Sequence, residues 1–160
     1  MKRKLMPYLA MLLIALSSCK KVEEPIICCA VVDTGLSFTV SSKSNLDLLN
    51  PGTTGAYTED KIELFDKKAS GYVRVYDRNM DWPKRFHIEV NPNTGKYQIS
   101  LGLNVETLSQ DTSVTLVKFG DQVPDTIKAV VVREGGYLVA KDIRMNNIPL
   151  DSDKIYNLIK

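Results

Sequence analysis

Residues 86–103 read FHIEVNPNTGKYQISLGL, and the fold is predicted from the pattern of this stretch. Phe86, Ile88 and Val90 alternate with polar residues, and a similar alternation resumes at 97–103 after a run of turn formers. A period of two places apolar side chains on one face of a β-strand and polar side chains on the other. Asparagine, proline and glycine between the runs favour a turn. The stretch therefore predicts two strands, each with one buried face and one face in water.

Similar runs lie at regular spacing on either side of this stretch. They are found at 36–40, 61–64, 72–76, 114–117, 127–132 and 137–139. Glycines at 135 and 136 can supply the positive φ that a tight hairpin turn needs. In the turn-rich loop at 41–57, Leu46, Leu48 and Leu49 are expected to close one end of the core. Seven or eight short strands without a long amphipathic helix predict an all-β fold, an antiparallel immunoglobulin-like β-sandwich.

The last ten residues, 151–160, fit two structures. Ile155, Leu158 and Ile159 have the spacing of a short amphipathic helix. Ile155, Asn157 and Ile159 have the period of an edge strand. The pattern leaves both structures open.

The beginning of the chain differs in composition from the rest. Three basic residues at 2–4 precede a run of twelve residues, 5–16, that is almost entirely apolar. A helix that crosses a bilayer needs about 20 apolar residues, so this run predicts a signal peptide. The following sequence, LSSC at 16–19, resembles the lipobox of bacterial lipoproteins. The resemblance implies that residues 1–18 are cleaved and that Cys19 carries the lipid, which anchors the protein without a spanning helix.

The expected organisation is a signal peptide at 1–18, a lipidated cysteine and tether at 19–30, and one β-sandwich domain at 31–160. Cleavage would remove three basic residues and leave 18 Lys and Arg against 19 Asp and Glu. A nearly neutral domain with scattered charge has no basic stripe for phosphates, which argues against nucleic acid as a partner. Membrane contact is expected through the lipid alone.

Cys28 and Cys29 are neighbours, and they are the only cysteines besides Cys19. Adjacent Cα atoms lie about 3.8 Å apart, which is shorter than the usual disulfide range, so a bridge between them would be strained. Three states stay open: inert thiols, a vicinal disulfide, and a bridge to another molecule. With one histidine in the chain, none of these states indicates catalysis.

The order of several motifs resembles that of small surface lipoproteins of gut-dwelling Gram-negative anaerobes. The shared features are the lipobox, the cysteine pair, a short strand, DLLNPG at 47–52 and KIELF at 61–65. The resemblance implies an immunoglobulin-like β-sandwich anchored to the outer membrane, with the periplasmic or extracellular face undecided. It implies no particular activity.

Two places in the sequence have the residue types of a metal site. His87 and Glu89 would share one strand face, which could begin a metal site, although a solvated face explains the same pattern. Asp77, Asn79 and Asp81 alternate as in a calcium loop, but the glycine and glutamate required later in that motif are absent. Asx turns explain the alternation equally well. We predict no bound metal and no cofactor.

Trp82 lies between these two places, and Tyr72 and Tyr76 precede it on the polar side of a predicted strand. Exposed aromatic side chains can stack on sugar rings or anchor a protein partner. A packed Trp82 that closes the core is the alternative. Lys84 and Arg85 are expected to be solvated.

No catalytic template occurs in the sequence. A Gly-x-Ser-x-Gly elbow, a His-Glu-x-x-His motif, a phosphate-binding glycine loop and a Cys-x-x-Cys motif are all missing. We therefore predict a non-catalytic, lipid-anchored module of the cell envelope that binds a protein or a glycan. The alternatives are a structural subunit of a surface assembly, which would need an open strand edge, and a hydrolase based on two carboxylates. The oligomeric state is left open.

Overall fold

The computed structural model describes residues 31–105, 111–151 and 155–160. In these ranges the chain forms eleven strands, one 3-10 turn at Glu59–Lys61 and no α-helix, which confirms the all-β prediction. The predicted signal peptide, Cys19, Cys28 and Cys29 lie outside the described residues. The strands are β1 (Val31–Asp33), β2 (Gly35–Ser41), β3 (Ile62–Lys68), β4 (Gly71–Arg74), β5 (Phe86–Val90), β6 (Tyr97–Gly102), β7 (Thr112–Phe119), β8 (Asp125–Glu134), β9 (Tyr137–Met145), β10 (Ile148–Pro149) and β11 (Tyr156–Ile159).

The strands form two sheets. The seven-stranded sheet has the order β1-β9-β8-β7-β3-β4, with β10 paired to β9, and the four-stranded sheet has the order β11-β2-β6-β5. The stretch at 86–103 forms the hairpin of β5 and β6, in register from Phe86 opposite Leu101 to Val90 opposite Tyr97. In the turn between these strands, the side-chain oxygen of Asn91 accepts hydrogen bonds from the backbone N–H groups of Asn93 and Thr94.

Both sheets are mixed, so the expectation of a wholly antiparallel arrangement of seven or eight strands is corrected. β1 runs parallel to β9, and β11 runs parallel to β2. Period-two alternation reports which face of a strand is buried and carries no information about the direction of its neighbour. For the described part of 151–160, the open question is answered: Tyr156–Ile159 is a strand.

The two sheets share one hydrophobic core. Most inward faces are those that the alternation predicted, as in β7, where buried and partly buried residues alternate along the strand, but Val73 on β4 and Val90 on β5 are exposed. Leu48 and Leu49 are part of this core as expected, whereas Leu46 is exposed. The most deeply buried large side chains come from both sheets: Phe38, Val40, Leu49, Ile62, Leu64, Ile99, Val117, Phe119, Ile127, Val131 and Met145.

Side chains tie the sheets together at their margins. At the outer edge of β5, the backbone N–H of Ile88 donates to the carboxylate of Glu59, 3.0 Å away. This contact occupies a donor that an edge strand would otherwise leave open. On the opposite margin, the Lys160 ammonium pairs with Asp125, which joins the end of β11 to β8. No helix in the described ranges is long and apolar enough to cross a bilayer.

Candidate functional site

Exposed hydrophobic side chains are concentrated in one short segment of the chain. Of the fourteen large hydrophobic residues exposed among those described, five lie within residues 72–82, which we call the edge segment. This segment runs from β4, at the edge of the seven-stranded sheet, toward β5, at the edge of the four-stranded sheet. The five residues are Tyr72, Val73, Tyr76, Met80 and Trp82. They are close in sequence but do not all share one face: Tyr72 and Val73, as neighbours on β4, point to opposite faces of the seven-stranded sheet.

The second half of the edge segment is held by turns. The Asp77 carboxylate accepts a hydrogen bond from the backbone N–H of Asn79 at 2.9 Å, which is an Asx turn. The backbone N–H of Asp77 donates to the carbonyl of Pro83 at 2.8 Å and closes the loop. The candidate calcium ligands Asp77, Asn79 and Asp81 therefore include a carboxylate oxygen that caps a turn. Across the described ranges, no cluster of three His, Cys, Asp or Glu residues could hold a metal.

Trp82 is fixed from one side and half exposed. Its ring stacks on the imidazole of His87, with 4.0 Å between centroids and 29° between planes. His87 lies on the outer face of the four-stranded sheet, because its neighbours Phe86 and Ile88 pack toward the core. Trp82 is 51% exposed, so it packs on the outside of the sheet and does not close the core.

His87 and Glu89 share a strand face as predicted, and they are joined by a hydrogen bond with 3.1 Å between Nε2 and Oε2. The other Glu89 oxygen accepts hydrogen bonds from the Ser100 hydroxyl at 2.7 Å and the Gln98 amide at 3.0 Å. These two hydrogen bonds, and then that of His87, lower the pKa of Glu89 from its ordinary 4.5 to about 2. The result is a carboxylate that stays charged, in a polar network beside Trp82.

The lowered pKa of Glu89 makes a testable contribution to stability. The contribution is fully present above pH 4.5 and is lost as the pH falls toward 2, because the folded state holds the charged form more strongly than the unfolded state does. With a side chain that is 44% exposed, we expect Glu89→Gln to cost at most about 1 kcal/mol at pH 7. Urea unfolding from pH 7 to pH 2 should show the difference from wild type shrinking steadily below pH 4.5. A difference that stays constant over this range would contradict the assignment.

The three aromatic residues predicted as one contact are exposed but are not all on one face. Tyr72 lies opposite Lys67 in the β3–β4 pair, on the outer face of the seven-stranded sheet. Trp82 lies against the outer face of the four-stranded sheet, through His87. Tyr76 is the most exposed of the three and follows the end of β4. Of the three, Trp82 is the one that lines a cavity.

A cavity of about 340 Å³ lies beside Trp82. Its lining consists of Asn79, Met80, Asp81, Trp82 and Arg85. His87 is not part of the lining, so the stacking contact leaves indole surface available to the cavity. The cavity combines one aromatic ring, one flexible apolar side chain and three polar side chains, a mixture typical of small-molecule sites.

Arg85 forms the wall of this cavity and also joins the two sheets. Its guanidinium binds the carboxylate of Asp66 with two hydrogen bonds of 2.6 Å, and its Nε donates to the carbonyl of Gly102 at 2.8 Å. Asp66 lies on β3 in the seven-stranded sheet, and Gly102 lies on β6 in the four-stranded sheet. The expectation of a solvated Arg85 was wrong. Asp66 continues the inward series of Ile62 and Leu64 along β3. A carboxylate at an inward position needs a cation as its partner. This position could have indicated the Arg85–Asp66 pair from the sequence.

A larger groove of about 630 Å³ lies on the other side of the protein, between β9 and the start of β2. Three carboxylates line it, those of Asp33, Asp142 and Asp151, together with Lys141. Asp142 has a positive φ of 48°, at the irregularity where the β8–β9 register shifts. These carboxylates do not form a metal-binding cluster in the described chain.

The chain matches no family model, no curated protein and no solved structure. Functional assignment therefore rests on the geometry of the described residues and on the sequence motifs.

Proposed function

We propose that this chain is a lipid-anchored, immunoglobulin-like module of the cell envelope that binds a protein or glycan partner and performs no catalysis. The observation that carries the proposal is the half-exposed indole of Trp82, which stacks on His87 and borders a cavity of about 340 Å³. Exposing this ring costs hydrophobic free energy that burial against a partner would recover. Trp82 is the expected centre of the contact.

The packing of Trp82 supports a binding role. The stacked imidazole of His87 restricts the indole, and the charged Glu89 holds that imidazole in place. A side chain that is already ordered loses less conformational entropy on binding, so more of the contact energy contributes to affinity. Tryptophan is also among the residues that most often dominate the energy of an interface.

The polar network supports a role without catalysis. A glutamate with a pKa of about 2 is charged at physiological pH and is a poor proton donor. The Ser100 hydroxyl donates to this glutamate and not to the histidine, so the arrangement differs from an activated nucleophile.

The proposed location on the outer membrane derives from the lipobox at 16–19. Labelling cells with a palmitate analogue tests it directly, because the label should enter the wild-type protein and be absent from Cys19→Ala. Label retained in that variant would rule out lipidation at Cys19.

Crosslinking on intact cells, with mass-spectrometric identification of neighbours, tests the contact surface. We expect Trp82→Ala to lose at least one neighbour that the wild type captures. Tyr137→Ala is the matched control, since Tyr137 is a similarly exposed aromatic residue at the start of β9. Unchanged neighbours in Trp82→Ala would refute the proposed surface. Copies of the same chain among the neighbours would favour a structural subunit of a surface assembly.

A further inference from the structure

We propose that the cavity beside Trp82 binds a neutral saccharide ring, with the indole as stacking platform and Asn79 and Asp81 as hydroxyl partners. This inference rests on the proposed function and deepens it, because it selects the ligand class and the site. The geometry that carries it is the juxtaposition of a half-exposed indole with polar side chains around one cavity.

The polar groups around the cavity are available to a ligand. Within the described ranges, no hydrogen bond or ion pair occupies the Trp82 indole N–H, the Asn79 side-chain amide or the Asp81 carboxylate. The indole N–H only donates, the carboxylate only accepts, and the amide does both. A hydroxyl group both donates and accepts, so a ring that carries several hydroxyls can pair with all three.

The apolar part of the cavity lining fits the C–H face of a sugar ring. A pyranose ring presents a face of C–H groups, and an indole provides a flat apolar surface of similar width. Met80, which is 58% exposed, adds a flexible side chain that can follow the edge of such a ring. A volume of about 340 Å³ falls at the lower end of the range for small-molecule sites, which suits a short saccharide segment.

The electrostatics of the wall favour a neutral ligand over an anionic one. Arg85 is the cation in the lining, and Asp66 already neutralises it through two short hydrogen bonds. The remaining charged group in the lining is the Asp81 carboxylate, which would repel a carboxylated or sulfated sugar. Arg85 contributes a rigid wall, because its three contacts to Asp66 and Gly102 fix the side chain.

Trp82 is the only tryptophan in the chain, so its fluorescence reports on the cavity. The experiment titrates the purified protein with neutral trisaccharides of glucose, mannose, galactose, xylose and N-acetylglucosamine at millimolar concentrations. At least one should change the emission in a saturable way. Asp81→Ala and Asn79→Ala should each weaken that saccharide about tenfold, as expected for one lost hydrogen bond, with the larger effect for the charged residue.

Asp121→Ala is the matched control, since Asp121 is an exposed aspartate in a turn outside the cavity, and it should leave the titration unchanged. Denaturation midpoints of all variants establish that they fold. The inference is overturned if no trisaccharide gives a saturable change, or if the change survives both cavity substitutions. If crosslinking depends on Trp82 while no saccharide binds, the saccharide inference fails and the proposed binding function stands.

Discussion

Arg85→Met is expected to lower the free energy of unfolding by about 3 kcal/mol. The substitution keeps most of the apolar stem beside Gly102 but removes the charge, which leaves the carboxylate of Asp66 buried without its cation. Asp66 is 5% exposed, and the hydroxyl of Thr115, which donates to it at 3.2 Å, is a neutral partner that does not replace the lost cation. Removal of one member of a buried pair costs roughly 3–5 kcal/mol, and the 29% exposure of the Arg85 side chain places the loss at the lower end.

Arg74→Met provides the control for this result. Arg74 also pairs with a carboxylate, that of Glu63 at 2.9 Å, but its side chain is 53% exposed. Exposed pairs contribute about 0–1 kcal/mol, so this variant should unfold almost as the wild type does. Urea denaturation at neutral pH measures the free energy of unfolding of Arg85→Met and of Arg74→Met. Equal losses in the two variants would mean that the Arg85–Asp66 pair does not behave as a buried pair.

The hairpin at 86–103 shows how much of the fold could be predicted from the sequence. Its alternation determines which side chains reach the core, because a shift of one residue would expose all of them. The same pattern could not predict that β1 and β11 are parallel edge strands. Each of these pairings joins residues far apart in the chain, and strand direction depends on how distant segments meet. At 151–160 the strand pattern grouped Ile155, Asn157 and Ile159, but the buried residue is Leu158, on the opposite face, because the pairing with β2 decides which face reaches the core.

The candidate site was predicted only in part, for a related reason. Trp82 could be identified as a candidate contact because exposed aromatic side chains can anchor a partner, but the sequence left a packed Trp82 open as the alternative. Its position over His87 depends on how the loop folds back onto β5, which local patterns do not encode. Arg85 was misjudged because an arginine beside a lysine in a polar loop resembles a solvated residue, and its partner lies nineteen positions earlier.

Phe119→Ala is expected to lower the free energy of unfolding by about 4 kcal/mol. Phe119 ends β7 and is fully buried in the shared core. Its ring contacts that of Tyr57, with 5.2 Å between centroids, and lies 5.2 Å from the Lys160 ammonium. The substitution therefore leaves a cavity and also removes an aromatic pair and a cation–π contact, which contribute about 0.5–1.5 and 0.5–2 kcal/mol in favourable cases.

Two further variants separate these effects. Phe119→Leu retains most of the buried volume but loses both ring contacts, so it should cost roughly 1.5 kcal/mol. Val123 lies four residues away in an exposed loop, and Val123→Ala should stay within about 0.5 kcal/mol of wild type. Urea denaturation of the three variants should therefore give a graded series. If Phe119→Ala lost no more than Phe119→Leu, the cavity would have collapsed, and the shared core would be more adaptable at this end than its packing indicates.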